Sequence, residues 1–253
     1  MMKTKINTRL PVLYCGDDDL RQGARYLYGV LGRLGYKIKY LPSRRQLRLA
    51  DLRECFSAII LSDYPGVMIP SAVAAKIAAQ VRSGTGFLMI GGWGSFHGYD
   101  GNYQRTRIAE ILPVRIKPAD DRADLPQGAI IIPKTGSAAI FPGLNFRTSA
   151  IIGGYNKVTL KPGSQLYLAV RNLEIKFPRI QMTGREYPLL AAGQYGSGRT
   201  ACYLSDLAPH WAGGLVDWGR KKVRIRCAGG NYMEVGAQYF TFIRQLLALI
   251  TKR

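Results

Sequence analysis

Gly86-Phe-Leu-Met-Ile-Gly-Gly-Trp-Gly-Ser-Phe-His97 is the stretch on which the reading of this chain turns. Phe87 to Ile90 form a short, continuous apolar run, the pattern of a strand buried on both faces of a parallel sheet. Gly91, Gly92 and Gly94 then allow the backbone to turn sharply and to approach another group closely. In open α/β sheets, binding sites lie at the carboxyl ends of the strands. Gly91, Gly92, Trp93, Ser95 and His97 therefore stand where a nucleophile or a ligand belongs, yet the turn holds no cysteine.

The chain before this stretch alternates strand and helix patterns. Leu10 to Cys15 reads as a first strand, and Asp17, Asp18 and Asp19 follow it where a helix N-cap belongs. Leu20, Ala24, Leu27, Tyr28, Leu31 and Leu34 then keep helical spacing up to Gly35. Tyr36 to Leu41 alternates as a second strand, and Pro42 to Arg53 reads as a loop with a helical turn. Ser57 to Ser62 is a third buried strand that delivers Asp63 at its carboxyl end. A helix is predicted from about Ser71 to Arg82, between Pro70 and Ser83-Gly84. This order predicts a doubly wound, mostly parallel sheet with helices on both faces.

Past the glycine turn, Tyr103 to Leu112 predicts a short helix stopped by Pro113. Residues 114–185 change texture: short strand candidates (114–117, 129–132, 157–161, 166–170, 173–177) alternate with proline and glycine turns. They read as a mixed or antiparallel β extension of one domain spanning residues 1–253. Leu189–Tyr195 and Thr200–Leu204 predict two further strands joined at Gly196-Ser-Gly198, with Asp206 just beyond. Lys222 to Cys227 alternates basic and apolar residues, as an exposed strand does, and a helix closes the chain from about Val235 to Thr251.

Composition bounds the function. With 47% hydrophobic and 21% charged residues the 253-residue chain has the make-up of an ordinary globular protein. No apolar run approaches the roughly 18 residues that span a membrane, and the basic N-terminus lacks the apolar stretch of a secretory signal. The expectation is a cytoplasmic protein with no membrane partner. Cys15, Cys55, Cys202 and Cys227 are scattered and form no C-x-x-C pair, and there are only two histidines, so neither a metal site nor a cofactor is expected. The formal charge of +20 attracts nucleic acid or acidic partners. Arginines concentrate at Arg44, Arg45, Arg48 and from Arg220 to Arg226, but no nucleic-acid motif accompanies them, so that partner is not favoured. A homodimer is the expected assembly on general grounds.

Three motif readings are weighed by context. Gly193 to Thr200 comes within one residue of a Walker A loop, but that loop must open a helix, and Ala201 to Leu204 reads as strand. A glycine turn between antiparallel strands fits better. Gly92 to Gly98 approximates a dinucleotide fingerprint with the wrong spacing and no acidic residue about 20 positions on. Ser95 and His97 share a loop but are two residues apart, so a loop histidine without catalytic duty is the simpler reading of His97. His210, flanked by Pro209 and Trp211 and four residues after Asp206, reads equally as an oriented general base or as a structural histidine.

These residues carry a pattern. Leu61-Ser-Asp-Tyr-Pro65, Gly86 to Phe96, Ile111-Leu-Pro-Val114, Tyr195-Gly-Ser-Gly-Arg-Thr200 and, above all, Ser205-Asp-Leu-Ala-Pro-His-Trp211 occur in serial order along nearly the whole chain. The chain resembles the glutamine amidotransferase-like family, a branch of the class I glutamine amidotransferase superfamily. The resemblance implies a flavodoxin-like core. It also implies a G-x-C-x-G elbow with a nucleophilic cysteine partnered by His and Glu, whereas here Gly92 or Trp93 stands at that position and no His-Pro-Glu type motif is present.

Three functions follow from this reading. One is a catalytically degenerate amidotransferase-like domain that binds a small polar ligand, or a protein partner, between Asp63, Trp93, His97, Asp206, His210 and Trp211. The second is a hydrolase in which His210, with Asp206, activates water. The third is a basic interaction protein that docks on an acidic partner or nucleic acid.

Overall fold

The first half of the chain folds as strand–helix–strand units because its apolar runs are long enough for strands buried on both faces. In the computed structural model, which describes residues 10–251, β1 (Val12–Gly16), β3 (Ala58–Ser62) and β4 (Gly86–Ile90) are buried at every residue. β2 (Ile38–Leu41) is the partly exposed outer strand beside them. α1 (Ala24–Arg33) connects β1 to β2, and α2 (Ser71–Arg82) connects β3 to β4. α2 buries Val73, Ala74, Ile77, Ala78 and Val81, a stripe at three- and four-residue spacing.

The remainder supplies α3 (Arg107–Ile111), β5 (Val114–Arg115), β6 (Arg122–Pro133), α4 (Ser137–Ile140), β7 (Ile152–Asn156), β8 (Thr159–Leu160), β9 (Gln165–Lys176), β10 (Arg179–Tyr195) and β11 (Gly198–Tyr203). α5 (Pro209–Ala212), the hairpin β12 (Lys222–Arg226)–β13 (Tyr232–Gly236) and α6 (Ala237–Ile250) complete it. One nine-stranded sheet runs β2-β1-β3-β4-β11-β10-β9-β6-β7. The pairs from β2 to β11 are parallel, and those from β11 to β7 are antiparallel. The fold is thus a mixed α/β sheet with helices; of the β-rich segment, β6, β7, β9 and β10 belong to that sheet, while β5 and β8 pair in a separate two-stranded sheet.

α1 packs against α6 and the β12 strand, and α2 packs against α3. α6 buries Tyr239, Phe242, Ile243, Leu246, Leu247 and Ile250. Phe242 joins Phe141, Phe146, Tyr203 and Trp218 in an aromatic cluster with ring centroids 5.3–6.5 Å apart. Among the described residues, no helix is long and apolar enough to cross a membrane.

Several boundaries differ from the expectation, each for a local reason. The first helix begins at Ala24, not at Leu20, and its N-cap is Gly23. Asp17 and Asp18 adopt left-handed backbone (φ 54° and 58°), so the chain turns before it coils, and the Asp17 carboxylate is engaged by Tyr14 instead of the helix. The expected strands 166–170 and 173–177 are one strand, β9. β10 begins ten residues before Leu189; its register shifts around Gly184 and Pro188 hide it from a search for regular alternation. β7, with Gly153 and Gly154 in it, lacks a β-prone pattern; Gly154 makes room for the Trp211 indole, which a Cβ there would strike.

Candidate functional site

The carboxyl ends of β1, β3, β4 and β11 deliver Asp17, Asp63, Trp93 and Asp206 to one cleft of about 490 Å3. Asp18, Arg21, Arg25, Tyr26 and His210 are among the other residues of its walls. The sequence pointed to four of these, Asp63, Trp93, Asp206 and His210, and the fold brings those four together.

The turn after β4 is held rigidly. Gly91 N–H donates to the carbonyls of Tyr203 (2.7 Å) and Ser205 (3.0 Å), tying it to β11. Gly92 N–H donates to Asn156 Oδ1 (3.0 Å), and Asn156 Nδ2 donates to Asp121 (2.8 Å). Asp121 in turn accepts from the N–H groups of His97 (3.0 Å) and Gly98 (3.1 Å). Asp63, itself in left-handed backbone (φ 45°), accepts from Gly94 N–H. Gly92 has φ 152°, and a Cβ there would lie 2.6 Å from Asp63 Oδ1 and 2.8 Å from its Cγ. Position 92 therefore has no room for a side chain.

Ser95, His97 and Trp211 do not face the cleft. Ser95 is fully buried, donates its hydroxyl to Ile90 O (2.6 Å) and accepts from Asp63 N–H, so it is a structural peg in the turn. His97 donates its backbone N–H to Asp121, and its buried Nδ1 has no hydrogen-bond partner. Trp211 is buried, donates from Nε1 to Asp124 (2.8 Å) and stacks behind His210 with 6.4 Å between ring centroids. Trp93 is 43% exposed; His210 meets it edge-on at 5.6 Å and the Arg122 guanidinium lies 4.6 Å from its centroid. Arg122 is itself held by Asp120.

The electrostatics set the three aspartates apart. Burial, and then the charge of its neighbours, pushes the Asp17 carboxyl up to about 7, although the Tyr14 hydroxyl and Ser62 oppose the rise. Burial followed by the Asp17 charge holds Asp206 well above the carboxylate range. Asp63 is raised mainly by burial, with His210 favouring its ionised form. Desolvation and mutual repulsion thus keep a proton among these groups near neutral pH. Asp206 Oδ1 accepts from Ala208 N–H (2.8 Å), and among the described residues no hydrogen bond joins Asp206 to His210.

Sequence reasoning missed Asp17 as a site residue because it read as a helix cap. The available signal was its position at the end of the first buried strand, the same placement that singled out Asp63. Among the described residues, no group of three or more His, Cys, Asp or Glu side chains is arranged to hold a metal ion.

A family model described as a putative glutamine amidotransferase matches residues 16–227. The chain belongs to that family. It is similar in structure to the cytoplasmic protein STM1381 of Salmonella typhimurium LT2, with 26% identity and a TM-score of 0.74 over 96% of this chain and 100% of that one. A second cytoplasmic protein of Salmonella typhimurium, STM3548, matches in fold over the same shares, with 23% identity and a TM-score of 0.74. No curated protein sequence matches the chain.

Within this amidotransferase-like framework, the elbow that would carry the nucleophile is built from Gly92 and Trp93. None of the four cysteines lines the cleft. Cys15 and Cys202 are buried, and burial pushes both thiols up, away from the thiolate that attacks an amide.

Proposed function

We propose that this protein is a non-canonical member of the glutamine amidotransferase-like family: it lacks glutaminase activity and binds a small polar ligand at the carboxyl edge of its sheet. The observation that carries the reading is an elbow with no nucleophile: the Asp63 carboxylate leaves no room for a side chain at Gly92, position 93 holds an indole, and an open cleft lies beside both. The cleft offers protonated and ionised carboxyls, an imidazole and an exposed indole edge. Such a set suits a ligand with several hydroxyl or amino groups and one apolar face, such as a sugar or an amino sugar.

The test has two arms. L-Glutamine is expected to yield no ammonia above a protein-free blank, and a panel of sugars, amino sugars and amines is expected to raise the melting temperature for at least one member. Trp93→Ala and Asp206→Asn should abolish that shift. Ammonia release that is lost on thiol alkylation, or a ligand shift unchanged in both variants, overturns the reading.

One observation favours a hydrolytic use of the same cleft. A carboxyl with a proton affinity near neutrality, Asp17, sits in it together with His210, which is the pairing of groups that activates water. Turnover of any ester, amide or glycoside substrate that His210→Asn removes would establish that reading over simple binding.

We further read residues 1–253 as one flavodoxin-like, doubly wound unit with helices on both faces, working in the cytoplasm. The unbroken nine-stranded sheet supports the first statement, and the description of two similar proteins as cytoplasmic supports the second.

A further inference from the structure

The β12–β13 hairpin is a two-stranded sheet of its own with two unlike faces. The register pairs Ile225 with Met233 and Val223 with Val235, so these four share the inner face, where Ile225 and Val235 are fully buried. Their seat is α1. A Cβ on Gly29 would lie 2.7 Å from Ile225 Cγ2 and 2.9 Å from Met233 Cε, so the missing side chain lets the hairpin close onto the helix. The same register turns Lys222, Arg224, Arg226, Tyr232 and Glu234 outward together.

The outward face is basic. Arg220 and Lys221 lead into it, and Arg33 stands one turn beyond Gly29 on α1, on the side where the hairpin sits. All six cations are exposed. Of the acids beside them, Asp217 is taken by Lys222, and Glu234 stands opposite Arg224. Among the described residues, Arg33, Arg220, Lys221, Arg224 and Arg226 make no ion pair. Alternate strand positions are about 7 Å apart, so the row from Lys222 to Arg226 spans about 14 Å of like charge. A surface strand needs polar residues on its wet face, but not charges of one sign.

We propose that this face is a docking surface for duplex nucleic acid, holding the phosphate backbone without reading its sequence. Its cations repeat regularly, and Arg220, Arg224 and Arg226 carry the planar fork that suits phosphate. A protein interface needs an apolar centre and a bilayer needs an apolar anchor; the outward face has neither. Single strands are held by stacking their bases on open aromatic rings. Tyr232, the aromatic residue of this face, is instead engaged by the Arg224 guanidinium, 4.2 Å from its ring centroid. The net charge of +20 favours the same partner, because it draws a polyanion toward the molecule. The lack of a base-reading motif agrees, since backbone contacts position a protein without carrying sequence information.

Fluorescence anisotropy of the full chain with a labelled duplex of about 20 base pairs, between about 50 and 200 mM salt, tests the proposal. The logarithm of the association constant is expected to fall against the logarithm of salt with a slope of about −4.5, as for five phosphate contacts. Arg220→Ser, Arg224→Ser and Arg226→Ser together should weaken binding at least about tenfold at the lower salt and flatten the slope by about 3. Lys221→Ser with Arg33→Ser is an independent variant that should flatten it by about 2. Arg44→Ser, Lys76→Ser and Arg105→Ser together remove three exposed charges from other elements, and should leave the affinity within about twofold. Circular dichroism melts confirm that each variant folds.

An equal loss in that last variant makes the binding a property of net charge alone and overturns the proposal. So does an absence of binding at the lower salt, or tighter binding of a single strand of equal charge. Displacement of the duplex by polyglutamate at equal charge concentration overturns it as well, in favour of an acidic polypeptide.

Discussion

The Asp63 carboxylate fills the volume that a side chain on Gly92 would need: its Oδ1 and Cγ lie 2.6 Å and 2.8 Å from an ideal Cβ at that position. The same carboxylate accepts from Gly94 N–H, so it cannot swing aside without unpairing the turn. One residue thus blocks a side chain at position 92 and fixes the backbone of the turn.

Placing a thiol at position 92 is therefore expected to fail. Gly92→Cys and Gly92→Ala should each destabilise the fold by about 2–4 kcal/mol, through the clash and the positive φ, without producing glutaminase activity. Thermal melts should show a fall of roughly 5–12 °C for both variants. A Gly92→Ala protein as stable as the parent would show that Asp63 can move.

Asp17 sets a pH dependence of opposite sign to the common carboxylate case. Its native pKa, about 7, lies above the ordinary aspartate value of 3.8, so near neutral pH the folded state holds a proton that the unfolded chain has released. The stability this provides is full below about pH 4 and is lost as pH rises toward and through 7. Asp17→Asn keeps an acceptor for the Tyr14 hydroxyl and removes the titration. Relative to the parent it should gain stability between pH 5 and pH 8, by on the order of a few kcal/mol in urea melts at the two pH values. A difference between the two proteins that does not change with pH contradicts the assignment.

Asn156 is the buried joint between the elbow and the loop beyond it, since one amide serves both Gly92 and Asp121. Asn156→Leu leaves the Gly92 N–H without its acceptor and removes one of the three donors to the buried Asp121 carboxylate. The expected loss is about 2–4 kcal/mol, with amide exchange faster at Gly92, His97 and Gly98. Exchange confined to Gly92 would show that Asp121 holds the loop without help from Asn156.

The thiols should sort by exposure. Under native conditions iodoacetamide is expected to modify Cys55, which is exposed, well before Cys15 and Cys202, which are buried with raised pKa values. Peptide mass spectrometry reads the order directly, and the alkylated protein should keep whatever ligand-induced stabilisation the parent shows. Early loss of Cys202 would place a reactive thiol where the fold has none.

The apolar runs 12–15, 58–61 and 87–90 determined by themselves the parallel half of the sheet, because a strand buried on both faces has few other sequence solutions. Pro70 and Ser83-Gly84 likewise bounded α2 to the residue. The family was legible too, since serial order and spacing of turn motifs survive where chemistry does not. Local pattern could not decide what depends on distant contacts. The length of β10 was hidden by its bulges, and β7 by two glycines, of which Gly154 makes room for Trp211. Which candidates converge was also a tertiary matter: residue spacing is silent on side-chain direction, so Ser95, His97 and Trp211 looked as eligible as Asp63, Trp93 and His210. Asp17 entered the site only because strand order sets the end of β1 beside that of β3. There, burial and neighbouring carboxyls changed a presumptive helix cap into a group that holds a proton near neutral pH.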